Sequence, residues 1–153
     1  MTELQTIQAQ ASTVPVAIED MPKATRLLRG LQQAWRDTPP SQPIQHGLTE
    51  TQLTASLHML RRMQAPASPT EVGEIIERML VHYWPAGKDV PVSVKQDWLR
   101  IMVEQPFASI VACYEKQIRS SDVFAPKVGQ FLQAVEAHAG SVATIRAKLE
   151  EAA

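Results

Sequence analysis

The side chains best suited to chemistry near neutral pH are four histidines, His46, His58, His82 and His138, and a single cysteine, Cys113. A metal site needs such residues to converge, usually through close spacings such as HExxH or CxxC, and neither spacing occurs. His58 and His82 fall in helix-patterned stretches and His46 in a loop, and all four histidines read as structural. No GxSxG marks a serine nucleophile, and several serines sit where helix caps are expected. Neither GxxxxGK[ST] nor GxGxxG is present, so no standard phosphate loop is expected. Glu71, Glu74 and Glu77 crowd the start of one helical stretch, where the macrodipole favours carboxylates. The expectation is therefore no catalytic residue, no metal and no cofactor. Cys113 lies in an apolar helical stretch and reads as a small packed side chain. A lone cysteine points to a reducing, cytoplasmic compartment.

Two basic groups remain. Arg26 and Arg29 are one helical turn apart, and Arg61 and Arg62 end another helical stretch. They are either solvated helix ends or a surface that contacts nucleic-acid phosphates. A net charge of −1 provides no global field that would recruit nucleic acid. No aromatic residues interleave with the arginines, which argues against stacking on single strands.

The elements that must position these residues are all helices. Residues 1–20 are polar and aperiodic and are expected to form a disordered tail. Their opening, "MTELQTIQAQAS", has neither the basic start nor the apolar centre of a secretory signal. No apolar run is long enough for a membrane span. Residues 21–68 form a helical extension interrupted by a Pro-rich linker at 38–47. Its first helix would be capped by Asp20 with Pro22 in the first turn, and its second by a Thr49/Gln52 capping box.

Residues 69–153 form the helical core domain. Ser68, Pro69 and Glu71 make a second capping box ahead of Val72, Ile75, Ile76, Met79, Leu80 and Tyr83 at helical spacing. Ser93 and Gln96 offer a third box before a stripe through Val94 and Trp98. Pro106 starts the next helix and Pro126 the one after. Gly140 ends that helix, and Ser141 caps a last one. About seven helices and no strand result, predicting an all-α fold: a small orthogonal or antiparallel bundle with an N-terminal helical extension.

The helix of "DMPKATRLLRGLQQAWRD" carries an apolar stripe of Ala24, Leu27, Leu28, Leu31 and Trp35. It either docks on the core or serves as a helix-in-groove motif for a protein partner, with Leu27, Leu28, Leu31 and Trp35 as anchors. In "SSDVFAPKVGQFLQAV", Phe124 is expected to staple the start of the Pro126 helix to the core, and Val128, Phe131, Leu132 and Val135 to face inward.

The order of elements from residue 71 to 135 carries a resemblance. A helix ends at Tyr83-Trp84-Pro85, a second holds Trp98 in "KQDWLRIM", a Pro-started helix follows in "QPFASIVACYEKQI", and "VFAPKVGQFL" steps into the last. This resembles the replicative-helicase loader and inhibitor proteins of phages, of the SPP1 type. From Trp98 to Phe131 it is also similar to the P replication protein of lambdoid phages. The resemblance covers roughly 60 residues. It carries over a scaffold signature at Trp98, Phe124, Pro126 and Phe131, and no partner-binding residue. Two departures stand out: Ala125 where the families often have Pro or Trp, and a polar segment that is N-terminal rather than C-terminal. The resemblance implies a non-enzymatic replication accessory protein of phage or prophage origin that binds a replicative helicase. The alternatives from the residues are a DNA-binding regulatory module and an assembly or structural protein of a phage particle.

Overall fold

The computed structural model describes residues 14–153. Six α-helices follow a short 3-10 turn at Ile18–Asp20: α1 Met21–Asp37, α2 Glu50–Met63, α3 Pro69–Tyr83, α4 Val92–Met102, α5 Phe107–Ile118 and α6 Val128–Glu151. No strand occurs among the described residues, and the chain folds as a small all-α bundle. The long helix α6 packs on α1, α2, α4 and α5, while α3 packs on α4 and α5.

One hydrophobic core runs through both halves of the chain. Leu28 and Leu31 of α1, Leu60 and Met63 of α2, Ile75 and Met79 of α3, Trp98 and Met102 of α4, Ile110 of α5 and Val135 and Leu149 of α6 share it. The boundary at 68/69 therefore separates helices and not cores. The Phe107 amide donates across that boundary to the Ala65 carbonyl at 3.1 Å. Trp98 meets Phe131 with ring centroids 5.6 Å apart at 52°, a tilted pair of the kind worth about 1 kcal/mol beyond its burial.

The first thirteen residues of the expected tail lie outside the described residues. Residues 14–20 sit on the bundle: Val16 is fully buried, and Arg62 donates to the carbonyls of Val14 and Pro15 at 3.2 and 3.3 Å. The Pro-rich stretch is non-helical but pinned. The Thr38 hydroxyl donates to the Ala34 carbonyl at 2.7 Å and accepts from the Gln45 amide at 2.9 Å, and Ile44 is buried.

Local sequence signals hold at some helix starts and fail at others. Thr49 and Gln52 form the reciprocal capping box. Ser68 accepts from the Glu71 amide, but its hydroxyl donates to the Glu71 carboxylate, so only half of the second box forms. Asp20 makes no side-chain cap, because it continues the 3-10 turn in helical conformation. The third box is absent. Helix α4 begins at Val92, one residue before Ser93, and the Pro91 carbonyl accepts from Val94 and Lys95 at 3.1 and 3.3 Å.

Helix α6 departs most from expectation. It starts at Val128, two residues after Pro126, with the Gln130 side chain accepting from the Lys127 amide at 3.3 Å. It then runs through Gly140 without a break for 24 residues. Ser141 caps nothing and instead donates to the Ala137 carbonyl at 3.1 Å, the back-bond of a serine inside a helix. Val135, Val142, Ile145 and Leu149 are buried on both sides of the glycine. That packing outweighs a propensity cost of about 1 kcal/mol. Six helices thus stand where about seven were expected.

Candidate functional site

Helices α5 and α6 pack against each other and are joined by the loop at 119–127. The groove between them encloses about 690 Å³. Its α5 wall includes Cys113, Lys116 and Gln117, and its α6 wall Phe131, Ala134, Ala137, His138 and Ser141. Phe124, Ala125 and Pro126 line it from the connecting loop. Small side chains on α6 leave this space open.

The connecting loop is held by hydrogen bonds. The Gln117 carbonyl accepts from the Ser120 hydroxyl at 2.6 Å and from the Tyr83 hydroxyl at 3.0 Å. The Gln117 amide group donates to Tyr83 at 2.9 Å and to the Asp122 carboxylate at 3.2 Å. These bonds tie the loop to the ends of α3 and α5, and Val123 and Phe124 project from it. Phe124 is 85% exposed and Val123 79%. The expected staple is thus reversed: Phe124 does not fasten the start of α6 to the core but stands in solvent at the rim of the groove. Because α6 starts at Val128 and not at Pro126, Phe124 lies four residues ahead of the helix, out in the connecting loop. Phe131 supplies the buried aromatic contact instead, beneath Trp98.

At the inner wall, Ser109 Oγ and His138 Nδ1 are 2.7 Å apart. Ser109 is completely buried, so its hydroxyl cannot reach a molecule in the groove, and the pair acts as a polar clamp between α5 and α6. Burial holds the His138 pKa below its ordinary 6.5, favouring the neutral ring. Burial also pushes the Cys113 thiol up to about 11, against a smaller opposing pull from Lys116. A thiol so placed is protonated at neutral pH and a poor nucleophile. Among the described residues no three His, Cys, Asp or Glu side chains converge as a metal set. No helix among them is long and apolar enough to cross a membrane.

The structure disperses the residues singled out from sequence. Leu28 and Leu31 are buried in the chain's own core, and Leu27 and Trp35 pack half-buried against it, with the Lys148 ammonium 4.8 Å from the Trp35 ring centroid. The α1 stripe is thus occupied internally. The four arginines do not converge either. Arg61 pairs with Glu150 at 3.5 Å and Arg62 holds the Val14–Pro15 backbone, while Arg26 and Arg29 point outward from α1. The groove itself was missed. Ser109 and His138 are 29 positions apart on different helices, so no local spacing joins them. The one available signal was the run of small residues Ala134, Ala137 and Ser141 at helical spacing.

Comparison with protein-family models, with curated proteins and with solved structures found no match.

Proposed function

We propose that this chain is a non-enzymatic adaptor that seizes a protein partner at the α5–α6 groove, with Phe124 and Val123 as the protruding anchors. The observation that carries this reading is the exposure of Phe124, at 85%, on a hydrogen-bonded loop beside an open groove of about 690 Å³. Covering a phenylalanine ring is worth about 2–3 kcal/mol, and a held loop reduces the ordering cost of doing so. Aromatic anchors next to pockets are typical centres of binding energy. The resemblance of residues 71–135 to phage loader and inhibitor proteins supports a bacterial replicative helicase as the partner, and a phage or prophage origin. The residues that carry that resemblance include the exposed Phe124 and the buried Trp98 and Phe131.

The test is capture of purified replicative helicase, bacterial or phage-encoded, by the full chain. Binding at micromolar concentration or better is expected, weakened at least tenfold by Phe124→Ser with the helical circular dichroism unchanged. No binding to either helicase overturns the choice of partner. Binding that Phe124→Ser leaves intact overturns the groove as the docking surface.

A further inference from the structure

A second surface, on α1, has a different chemistry. The inner face of this helix is spent on the core, through Met21, Ala24, Leu28 and Leu31. Its outer face presents Lys23, Arg26, Arg29 and Arg36, all exposed, with Gln33 completing a row at spacings of three or four residues. At 1.5 Å per residue, the row from Lys23 to Arg36 is about 20 Å long. Among the described residues none of these four cations is in an ion pair, whereas Arg61, Lys95, Arg100, Arg146 and Lys148 are each paired with a carboxylate. The only carboxylate within α1, Asp37, accepts from Gln33 at 2.9 Å. Glu19, Asp20 and Asp37 flank the row without pairing with it, and Arg36 donates to Gln33 at 3.0 Å, so unpaired positive charge is aligned along this one helix face, with Arg26 and Arg29 at its centre.

We propose that this face binds the phosphate backbone of nucleic acid, without reading sequence. Charge complementarity selects the partner. A polyanion with charges repeating every few ångströms meets a 20 Å row of cations with no need for apolar contact. Three of the four cations are arginines, whose planar forks match phosphate oxygens. A protein interface would need an apolar centre, and the outer face of α1 has none. A membrane surface would need the apolar side of the helix, which is buried in the bundle. Gly30 lies in the same face with no heavy atom within 4 Å of where a β-carbon would stand, so a backbone can approach closely. Arginines can read guanine edges, but nothing on this exposed face holds Arg26 or Arg29 in a fixed orientation toward bases, so affinity with little sequence specificity is expected. The surface is distinct from the α5–α6 groove and stands whether or not the groove takes a helicase.

The experiment is fluorescence anisotropy of the full chain against a labelled 30-base single strand and a 30-base-pair duplex, from 50 to 200 mM salt. Four phosphate contacts predict a slope of log K against log salt of about −3.6 on duplex and −2.8 on single strand. On duplex that is roughly a hundredfold loss across the range. Binding to only one of the two oligonucleotides with the matching slope supports the proposal and identifies the nucleic-acid form. R26Q/R29Q is expected to weaken binding at least tenfold at 50 mM salt and to flatten the slope by about two. The control R78Q/K88Q, which removes two exposed charges elsewhere, is expected to leave both unchanged. All four altered positions are exposed, and circular dichroism checks the fold. The proposal is overturned if neither oligonucleotide binds at 100 µM protein in 50 mM salt, or if R26Q/R29Q binds like the parent. It is also overturned if the control pair loses as much, or if phosphatidylserine vesicles are bound through α1 while both oligonucleotides are not.

Discussion

Replacing Gly140 by alanine is expected to stabilise the protein. Gly140 is exposed in the middle of α6, has no left-handed backbone angle, and offers open space for a β-carbon, with no heavy atom within 4 Å. The substitution then removes only the glycine's extra unfolded-state freedom, which is worth about 0.5–1 kcal/mol in a helix interior. For a chain of this size that is a rise in Tm of about 1–4 °C. In urea, with a slope of about 2 kcal/mol per molar, the midpoint moves up by about 0.3–0.5 M. Both are measured by following helical circular dichroism through reversible unfolding. The sign is diagnostic. If the helix stopped at Gly140 with the glycine in a left-handed cap, alanine would cost about 1–2 kcal/mol and both midpoints would fall. A lower midpoint would therefore refute the continuous helix, and with it the alignment of Ala134, Ala137 and Ser141 along one groove wall.

Two further outcomes follow from the groove. His138 is held neutral by burial, so its folded-state pKa lies below the unfolded 6.5. Its stabilising contribution is complete above about pH 6.5 and is lost as pH falls toward the folded value, because the unfolded chain then binds the extra proton. Urea unfolding at pH 7.5, 6.5 and 5.5 should show stability falling with acid, and His138→Gln should flatten that dependence; an identical pH slope in the variant would contradict the assignment. Glu150, whose carboxyl is lowered chiefly by its hydrogen bond from Arg146, loses its contribution only as pH falls below about 4.5, outside this window. Cys113, pushed up to about 11, should react with a disulfide reagent at pH 7.5 roughly a hundredfold more slowly in the native chain than in urea. Equal rates would show that the fold neither shields the half-buried thiol nor raises its pKa.

Much of the helical framework was legible because its signals are local. A Thr49 hydroxyl finds the Gln52 amide within one turn, and Pro69 sets the first turn of α3 whatever surrounds it. The stripe from Val72 to Leu80 is buried as its spacing predicts, since one helix face must turn inward. The same local reasoning misplaced Asp20, Ser93 and Pro126, where neighbouring turns and prolines already satisfied or shifted the helix start.

The sequence by itself determined that the chain is helical, where most of the helices lie, and which face of each is apolar, because these depend on interactions a few residues apart. Tertiary structure alone decided how those faces are used. It let α6 run through Gly140, since buried contacts on both sides exceed the cost of one glycine. It spent Leu28 and Leu31 inside and left Phe124 outside, although both kinds of residue look equally apolar in sequence. It tied Arg61 to Glu150, 89 positions away, and Arg62 to the Val14–Pro15 backbone, leaving Arg26 and Arg29 in the outward row of α1. Burial and charge pairing depend on which distant segments meet, and composition and spacing do not encode that meeting one residue at a time.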